Sequence, residues 1–227
     1  MQDDGTVPKR RLPAGAGSER PAVTATKSTL RRENIVRCAT TLFDRQGFSN
    51  TSLDDIAQAV GVTREALYYY FRNRSEILLQ IIEPQSVALI EGLQAIAKKD
   101  LPANEKLRLA IRNHLQRFDR HCLEMTISLR DGLLDTDDHV RKAMARTWKK
   151  YERLWIALIA AGQASGEFEP IGDPRMIAFG ILGMCNWLAR WYDPAKPVAI
   201  DEIIDTYFRM LSVGLLPRPR RARVPAD

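Results

Sequence analysis

The stretch Thr51–Phe71, TSLDDIAQAVGVTREALYYYF, decides the fold of this chain. Its first half sets Leu53, Ile56, Ala57 and Val60 at i, i+3, i+4 and i+7, the apolar stripe of a short amphipathic helix. Ser52 stands at the N-cap. Asp55, three residues on, can reach back to the cap's amide and also meets the positive end of the helix dipole. Gly61 follows the last periodic residue, where a left-handed turn favours a residue without a Cβ. Thr63 then caps a second helix, predicted over Arg64–Phe71. So short a gap lays one helix across the other, as in a helix-turn-helix.

The faces of the second helix suggest its use. At roughly 100° per residue, with Leu67 inward, Thr63, Tyr70 and Phe71 fall on or near the inner half, while Glu65 and Tyr69 point outward. Arg64 and Tyr68 flank that ridge, and Arg72, Asn73 and Arg74 end it. Guanidinium and hydroxyl groups suit phosphates and base edges, and a carboxylate can accept from a cytosine amino group, so the helix is dressed for a DNA major groove. The bland alternative, a solvated helix with tyrosines partly in the core, gives no reason to expose consecutive aromatics.

Helix 1 as RENIVRCATTLFDRQGF (Arg32–Phe48), then the stretch above, then RNRSEIL (Arg72–Leu78), resembles in order and spacing the DNA-binding domain of TetR-family transcriptional regulators. The expected base contacts are Arg64, Glu65 and Tyr69, with phosphates going to Thr51, Thr63, Tyr68, Tyr70 and Arg74; Tyr70 enters through the family pattern. The resemblance implies a homodimer, a double-stranded DNA operator, and a small-molecule effector held in a helical body. It also implies a helix 4 that links head to body.

The rest of the chain fits that outline. Helix 1 repeats Ile35, Ala39, Leu42 and Phe43 from about Leu30 to Gln46 and stops at Gly47, with Arg31 and Arg32 at its entrance as candidate phosphate contacts. Asn73–Glu76, NRSE, forms a further cap before Ile77, Leu78, Ile81 and Ile82 of helix 4, which Pro84 should kink or break. From residue 100 onward every segment reads helical: Ala103–Asp119, Cys122–Arg130, Val140–Ala164, a helix from Pro174 to about Trp191 capped by Asp173, and a last helix capped by Asp201 and ended by Gly214. No alternating run is long enough for a strand. The fold class is therefore all-α, an N-terminal three-helix helix-turn-helix domain plus a C-terminal helical domain, which the resemblance implies is the ligand-binding and dimerisation domain. The expected divisions are a flexible basic arm (1–28), the DNA-binding domain (29–75), the ligand-binding and dimerisation domain (76–216) and a basic tail (217–227).

Composition bounds the alternatives. The 227 residues are 45% hydrophobic and 27% charged, with a net charge of +6. Most of that excess sits in the tails: Lys9, Arg10, Arg11, Arg20 and Lys27 outnumber Asp3, Asp4 and Glu19 at one end, and four arginines face Asp227 at the other. The basic pI of about 9.4 is thus weak evidence for nucleic acid by itself. No apolar h-region follows the early basic residues, and the longest uncharged run of the body is too short to span a bilayer, so a cytoplasmic protein with no membrane partner is expected.

Cys38, Cys122 and Cys185 lie far apart in no CxxC arrangement, and read as small buried residues rather than a disulfide framework, a zinc site or a redox sensor. His114 and His121 share a helix face, but with neither HExxH nor ExxH no metal or cofactor is expected. Candidate ligand contacts are Phe118, His121, Met125, Met144, Trp148, Trp155, Met184 and Trp187, with Arg130, Arg190 or Arg153 toward an anionic end. GMCNWLARWYDP (Gly183–Pro194) is similar to a stretch of family members that regulate fatty-acid or sterol breakdown, which implies an acyl-CoA effector; another hydrophobic compound stays open. An all-helical enzyme or small-molecule carrier is the alternative class, but GxSxG, GxGxxG and the P-loop are absent, so no catalytic residues are expected. A DNA binder without ligand or sequence preference is the third.

Overall fold

The computed structural model describes residues 26–126, 137–193 and 195–215, side chains at 117–126 excepted. Among them every regular element is a helix: α1 (Lys27–Gln46), α2 (Leu53–Val60), α3 (Arg64–Tyr68), α4 (Arg74–Ala97), α5 (Ala103–Thr126), α6 (Asp138–Ala164), α7 (Pro174–Asn186), α8 (Leu188–Trp191) and α9 (Ile200–Leu215).

Helix α1 starts three residues before the expected Leu30, because Thr26 caps it through Thr29 N–H. Its buried side chains Ile35, Ala39 and Phe43 repeat every four residues, and Phe48 just beyond Gly47 (φ 85°) packs edge-on against Phe43 at 5.1 Å between ring centroids. Ser52 and Asp55 form the full capping box of α2, and Gly61 ends that helix in the left-handed region at φ 73°. Helix α3 is shorter than the expected Arg64–Phe71. After Tyr68 the amides of Tyr70 and Phe71 both turn back to the Leu67 carbonyl, which drives Phe71 into the core. Asn73 then takes an extended conformation to cap α4 through Glu76 N–H, so the intervening residues cannot stay helical.

Pro84 does not break α4, which runs unbroken from Arg74 to Ala97. The ring sits on the exposed side, while Ile81, Ile82, Leu89 and Ile90 bury the opposite face on both sides of it. That packing outweighs the roughly 3 kcal/mol an interior proline costs. The break expected between Asp119 and Cys122 is likewise absent, for α5 is one helix to Thr126. The polar run there contains neither Gly nor Pro, and polarity alone does not end a helix. Residues 127–130 of the predicted Cys122–Arg130 helix lie outside the described residues. Helix α6 begins at Asp138, two residues earlier than expected, capped by Asp137. The predicted Pro174–Trp191 helix is divided at Trp187 into α7 and α8, and α9 starts at Ile200 and runs one residue past Gly214.

Two cores result. The head core joins Ile35, Phe43, Phe48, Ile56, Leu67 and Phe71 to the first turns of α4 (Ile77, Leu78, Ile81, Ile82) and to Val140 and Met144 of α6. The body core joins Leu89, Ile90 and Leu93 of the same α4 to α5, α6, α7 and α9. Helix α4 thus spans both cores, and Trp148 packs against each. Two ion pairs, Arg108–Asp205 at 2.8 Å and Arg112–Asp201 at 2.6 Å, lie along the contact of α9 with α5. No described helix is long and apolar enough to cross a membrane.

Candidate nucleic-acid interface

Helix α3 is held from behind and bare in front. Leu67 is fully buried against α1 and α2, and Thr63 Oγ1 caps the helix by accepting from Ala66 N–H at 3.2 Å. With that face inward, Arg64, Glu65 and Tyr68 are exposed, and Tyr69 at 81% is the most open large apolar side chain among the described residues. A large aromatic so exposed has nothing to gain from water. The backbone N–H of Glu65 and the Thr63 hydroxyl hold the Glu65 carboxyl below its usual range, so it faces outward as an anion and an acceptor. Arg64 is oriented: Nη1 donates to Asp54 Oδ2 at 2.7 Å and Nη2 to the Tyr68 hydroxyl at 3.2 Å.

Two predicted phosphate contacts, Thr51 and Arg74, turn their polar groups inward, and a third, Tyr70, is half-buried. Thr51 is fully buried, its hydroxyl donating to the Gly47 carbonyl at 2.8 Å and accepting from Gln46 Nε2 at 3.2 Å. Arg74 Nη1 donates to the carbonyl oxygens of Phe48, Ser49 and Thr51 at 3.1, 2.9 and 3.0 Å, with the guanidinium 4.7 Å from the Phe48 ring centroid. Tyr70 is half-buried against the head core and meets Tyr69 edge-on. Arg32, expected at the DNA backbone, braces the exit of α3: it lies 4.2 Å over Phe71 and donates to the Tyr70 carbonyl at 2.9 Å. Arg31 is exposed. From the sequence these arginines read as phosphate contacts because a guanidinium next to a recognition helix suits either role. Asp54 carries no signal of its role in the sequence, since its partner Arg64 is on another helix.

The candidate ligand residues among the described ones are not gathered in one place. Met144 and Trp148 share a small cleft of about 50 Å³ with Leu79, Ile82 and Ser86 of α4. Trp155 is fully buried, and its Nε1 has no hydrogen-bond acceptor among the described residues. Met184 is half-buried; Trp187, 63% exposed, and Arg190 and Arg153 lie on the surface. Arg130 and the side chains of Phe118, His121 and Met125 lie outside the described residues. A larger cavity of about 300 Å³, among Leu101, Lys106, Leu154 and Leu158, contains none of the predicted set.

His114 is buried between Tyr151 Oη, 3.0 Å from Nδ1, and Asn186 Oδ1, 2.9 Å from Nε2. An N–H at Nε2 donates to Asn186 and leaves Nδ1 to accept from the tyrosine. Burial pushes the imidazole down to about 4, so it is neutral near pH 7 and ties α5 to α6 and to the end of α7. Among the described residues no group of three or more ligating side chains could hold a metal. Burial also pushes the Cys185 thiol up to about 12, far from a reactive thiolate.

Comparison with known proteins decides the family. Residues 35–81 match the model for bacterial regulatory proteins of the tetR family, and residues 100–215 match that for the tetracyclin repressor-like C-terminal domain. The chain belongs to the TetR family. Among similar structures is a TetR/AcrR-family transcriptional regulator from Thermobifida fusca YX-ER1, 30% identical, with a TM-score of 0.63 over 80% of this chain and 96% of that one. Another is AibR in complex with isovaleryl coenzyme A and operator DNA, 25% identical, TM-score 0.70, covering 79% and 97%. The HTH-type transcriptional repressor KstR2 of Mycolicibacterium smegmatis is 22% identical over 85% of this chain and 94% of its own length. This TetR-family chain is therefore a transcriptional regulator and not an enzyme, and α1–α3 form the helix-turn-helix unit through which such regulators bind DNA operators.

Proposed function

We propose that the protein is a homodimeric repressor that binds a near-palindromic operator and is released by a hydrophobic small molecule of the acyl-CoA class. The observation that carries this reading is the outward ridge of α3, with Arg64, Glu65 and Tyr69 exposed on a helix whose other face is locked into the head core. These three read base edges, and Thr63, Tyr68 and Arg31 meet phosphates. In this reading 29–75 is the DNA-binding unit and 76–216 the effector and dimerisation unit.

Dimerisation is supported by an unpartnered apolar face. Met176, Phe179 and Trp187 stand out along α7 with the bare surfaces of Gly180 and Gly183 between them, and Met210 (61% exposed) and Val213 (75%) stand out along α9. A groove of about 240 Å³ joins the two helices. Two helices per subunit can close as a four-helix bundle around a two-fold axis, which sets two copies of α3 toward successive major grooves.

The effector reading is supported by two things: the α4/α6 cleft at Met144 and Trp148, and the isovaleryl coenzyme A bound to the related AibR. Because α4 is shared by both cores, a ligand that favours one packing of α4 against α6 changes the spacing of the two heads, by no more than its differential affinity for the two spacings.

The test is selection of operator DNA from a random duplex pool by the purified protein, repeated with a panel of acyl-CoAs. The reading expects an enriched palindrome whose recovery drops with one member of the panel. No enrichment at moderate salt sinks the DNA-reading function; enrichment indifferent to every acyl-CoA sinks the effector class alone.

A further inference from the structure

Asp54 and Arg64 lie ten positions apart on different helices and meet across the turn at 2.7 Å. Their side chains are 60% and 50% exposed, and ion pairs so open to water add little stability. Asp54 is not needed for the cap of α2 either: Asp55 fills that role, accepting from the Ser52 amide at 2.8 Å and the Ser52 hydroxyl at 2.7 Å. A carboxylate on the helix-turn-helix also faces a polyanion that repels it, so its presence works against affinity. Its place in the first turn of α2 gives Asp54 a modest stabilisation by the helix dipole, but any carboxylate there would supply that, and it does not account for the hold on Arg64.

The geometry points to Asp54 as a positioning residue that fixes the Arg64 guanidinium for base reading, trading affinity for sequence discrimination. An unbraced arginine samples many rotamers, each able to satisfy some phosphate and none specific to a base. Here one terminal nitrogen is tied to Asp54 and the other to the Tyr68 hydroxyl, with the Tyr68 ring centroid 5.7 Å from the guanidinium carbon. Two of the five N–H groups are thereby engaged, and three remain for a ligand. That suffices for the paired contact an arginine makes to O6 and N7 of a guanine, and the brace decides in which plane the fork is presented. The inference rests on the proposed reading of DNA by α3. It adds that the discriminating element is the Asp54–Arg64–Tyr68 set, not Arg64 alone.

The test compares the full-length wild type with Asp54→Asn, Arg64→Ala and the double variant. Binding to the selected operator, to each of its single-base variants and to an unrelated duplex is measured by fluorescence anisotropy. Arg64→Ala should flatten the preference at one symmetry-related pair of positions by about tenfold or more. Asp54→Asn should flatten the same pair by roughly three- to tenfold while binding the unrelated duplex at least as tightly as wild type. Adding Asp54→Asn to Arg64→Ala should change nothing further at that pair. A purely structural defect would weaken every position together and lower the thermal midpoint, and that result overturns the inference. So does Asp54→Asn tightening all duplexes equally with every base preference intact, which would make Asp54 a mere competitor for Arg64. If the wild type selects no sequence, the DNA-reading proposal itself falls; if it selects one that Asp54→Asn leaves sharp, only the positioning role falls.

Discussion

Replacing Arg74 by methionine keeps the apolar stem and removes the guanidinium that straddles the α1–α2 connection. In the wild type Nη1 serves the carbonyl oxygens of Phe48, Ser49 and Thr51 at 2.9 to 3.1 Å, and the charge lies 4.7 Å from the Phe48 ring centroid. A hydrogen bond to a charged donor is worth about 1.5–3 kcal/mol net. Nη1 has only two hydrogens for the three acceptors, and the site is only half-buried, so the low end for fewer than two full bonds applies. Adding about 0.5 kcal/mol for the cation on the ring gives a loss of roughly 2–3 kcal/mol. For a chain of this size that lowers the thermal midpoint by about 5–10 °C, read by far-UV circular dichroism. Arg74→Lys should recover less than half of the loss, because an ammonium cannot fork across carbonyls and lie flat on a ring together. The reasoning is refuted if Arg74→Met melts within about 1 °C of wild type and instead reduces the salt slope of DNA binding by about one phosphate contact. Arg74 would then be the phosphate ligand its position in the sequence suggests.

Further outcomes follow from other parts of the molecule. Glutamate at both Met210 and Val213 places charge on the exposed α9 face; sedimentation velocity should report a monomer, with operator affinity lost and far-UV dichroism unchanged. His114 titrates at about 4 when folded and near 6.5 when unfolded, so between those values the unfolded chain carries a proton that the folded chain refuses. Stability from this group is present above pH 6.5 and is lost as the pH falls toward 4, by about 3 kcal/mol in all, a slope in urea midpoints that His114→Gln should remove. Gly61→Ala meets no neighbour within 4 Å but forces a Cβ onto φ 73°, and should cost about 1 kcal/mol by chemical denaturation, with Gly61→Asn costing less.

The helix-turn-helix was legible because its signals are local. Ser52, Asp55, Gly61 and Thr63 act within four residues of where they stand, and the stripe of Leu53, Ile56, Ala57 and Val60 needs no partner to be recognised. What failed to read correctly depends on distant packing. Helix α3 ends at Tyr68 because Phe71 is drawn into a core built by α1 and α4, and α4 survives Pro84 because two cores grip it on either side. The arginines divide on grounds no pattern reveals. Arg64 faces out, whereas Arg32 and Arg74 each lie on a buried phenylalanine ring and reach backbone carbonyls far along the chain. The described candidate ligand residues scatter for the related reason that Met and Trp at helical spacing fit a core, a cleft or an open apolar face equally well. Trp155 lies in the body core, Trp148 at the α4/α6 cleft, and Trp187 open on the apolar face of α7.

The central claim is that two copies of α3, set by a two-fold axis, read two half-sites. It is tested most directly by footprinting the purified protein on the duplex it selects. The account predicts two protected half-sites with centres about one helical turn of DNA, or a multiple of it, apart, both lost together in a variant lacking Arg64 and Tyr69 side chains. A single protected half-site, or protection without sequence preference that survives those substitutions, would contradict it.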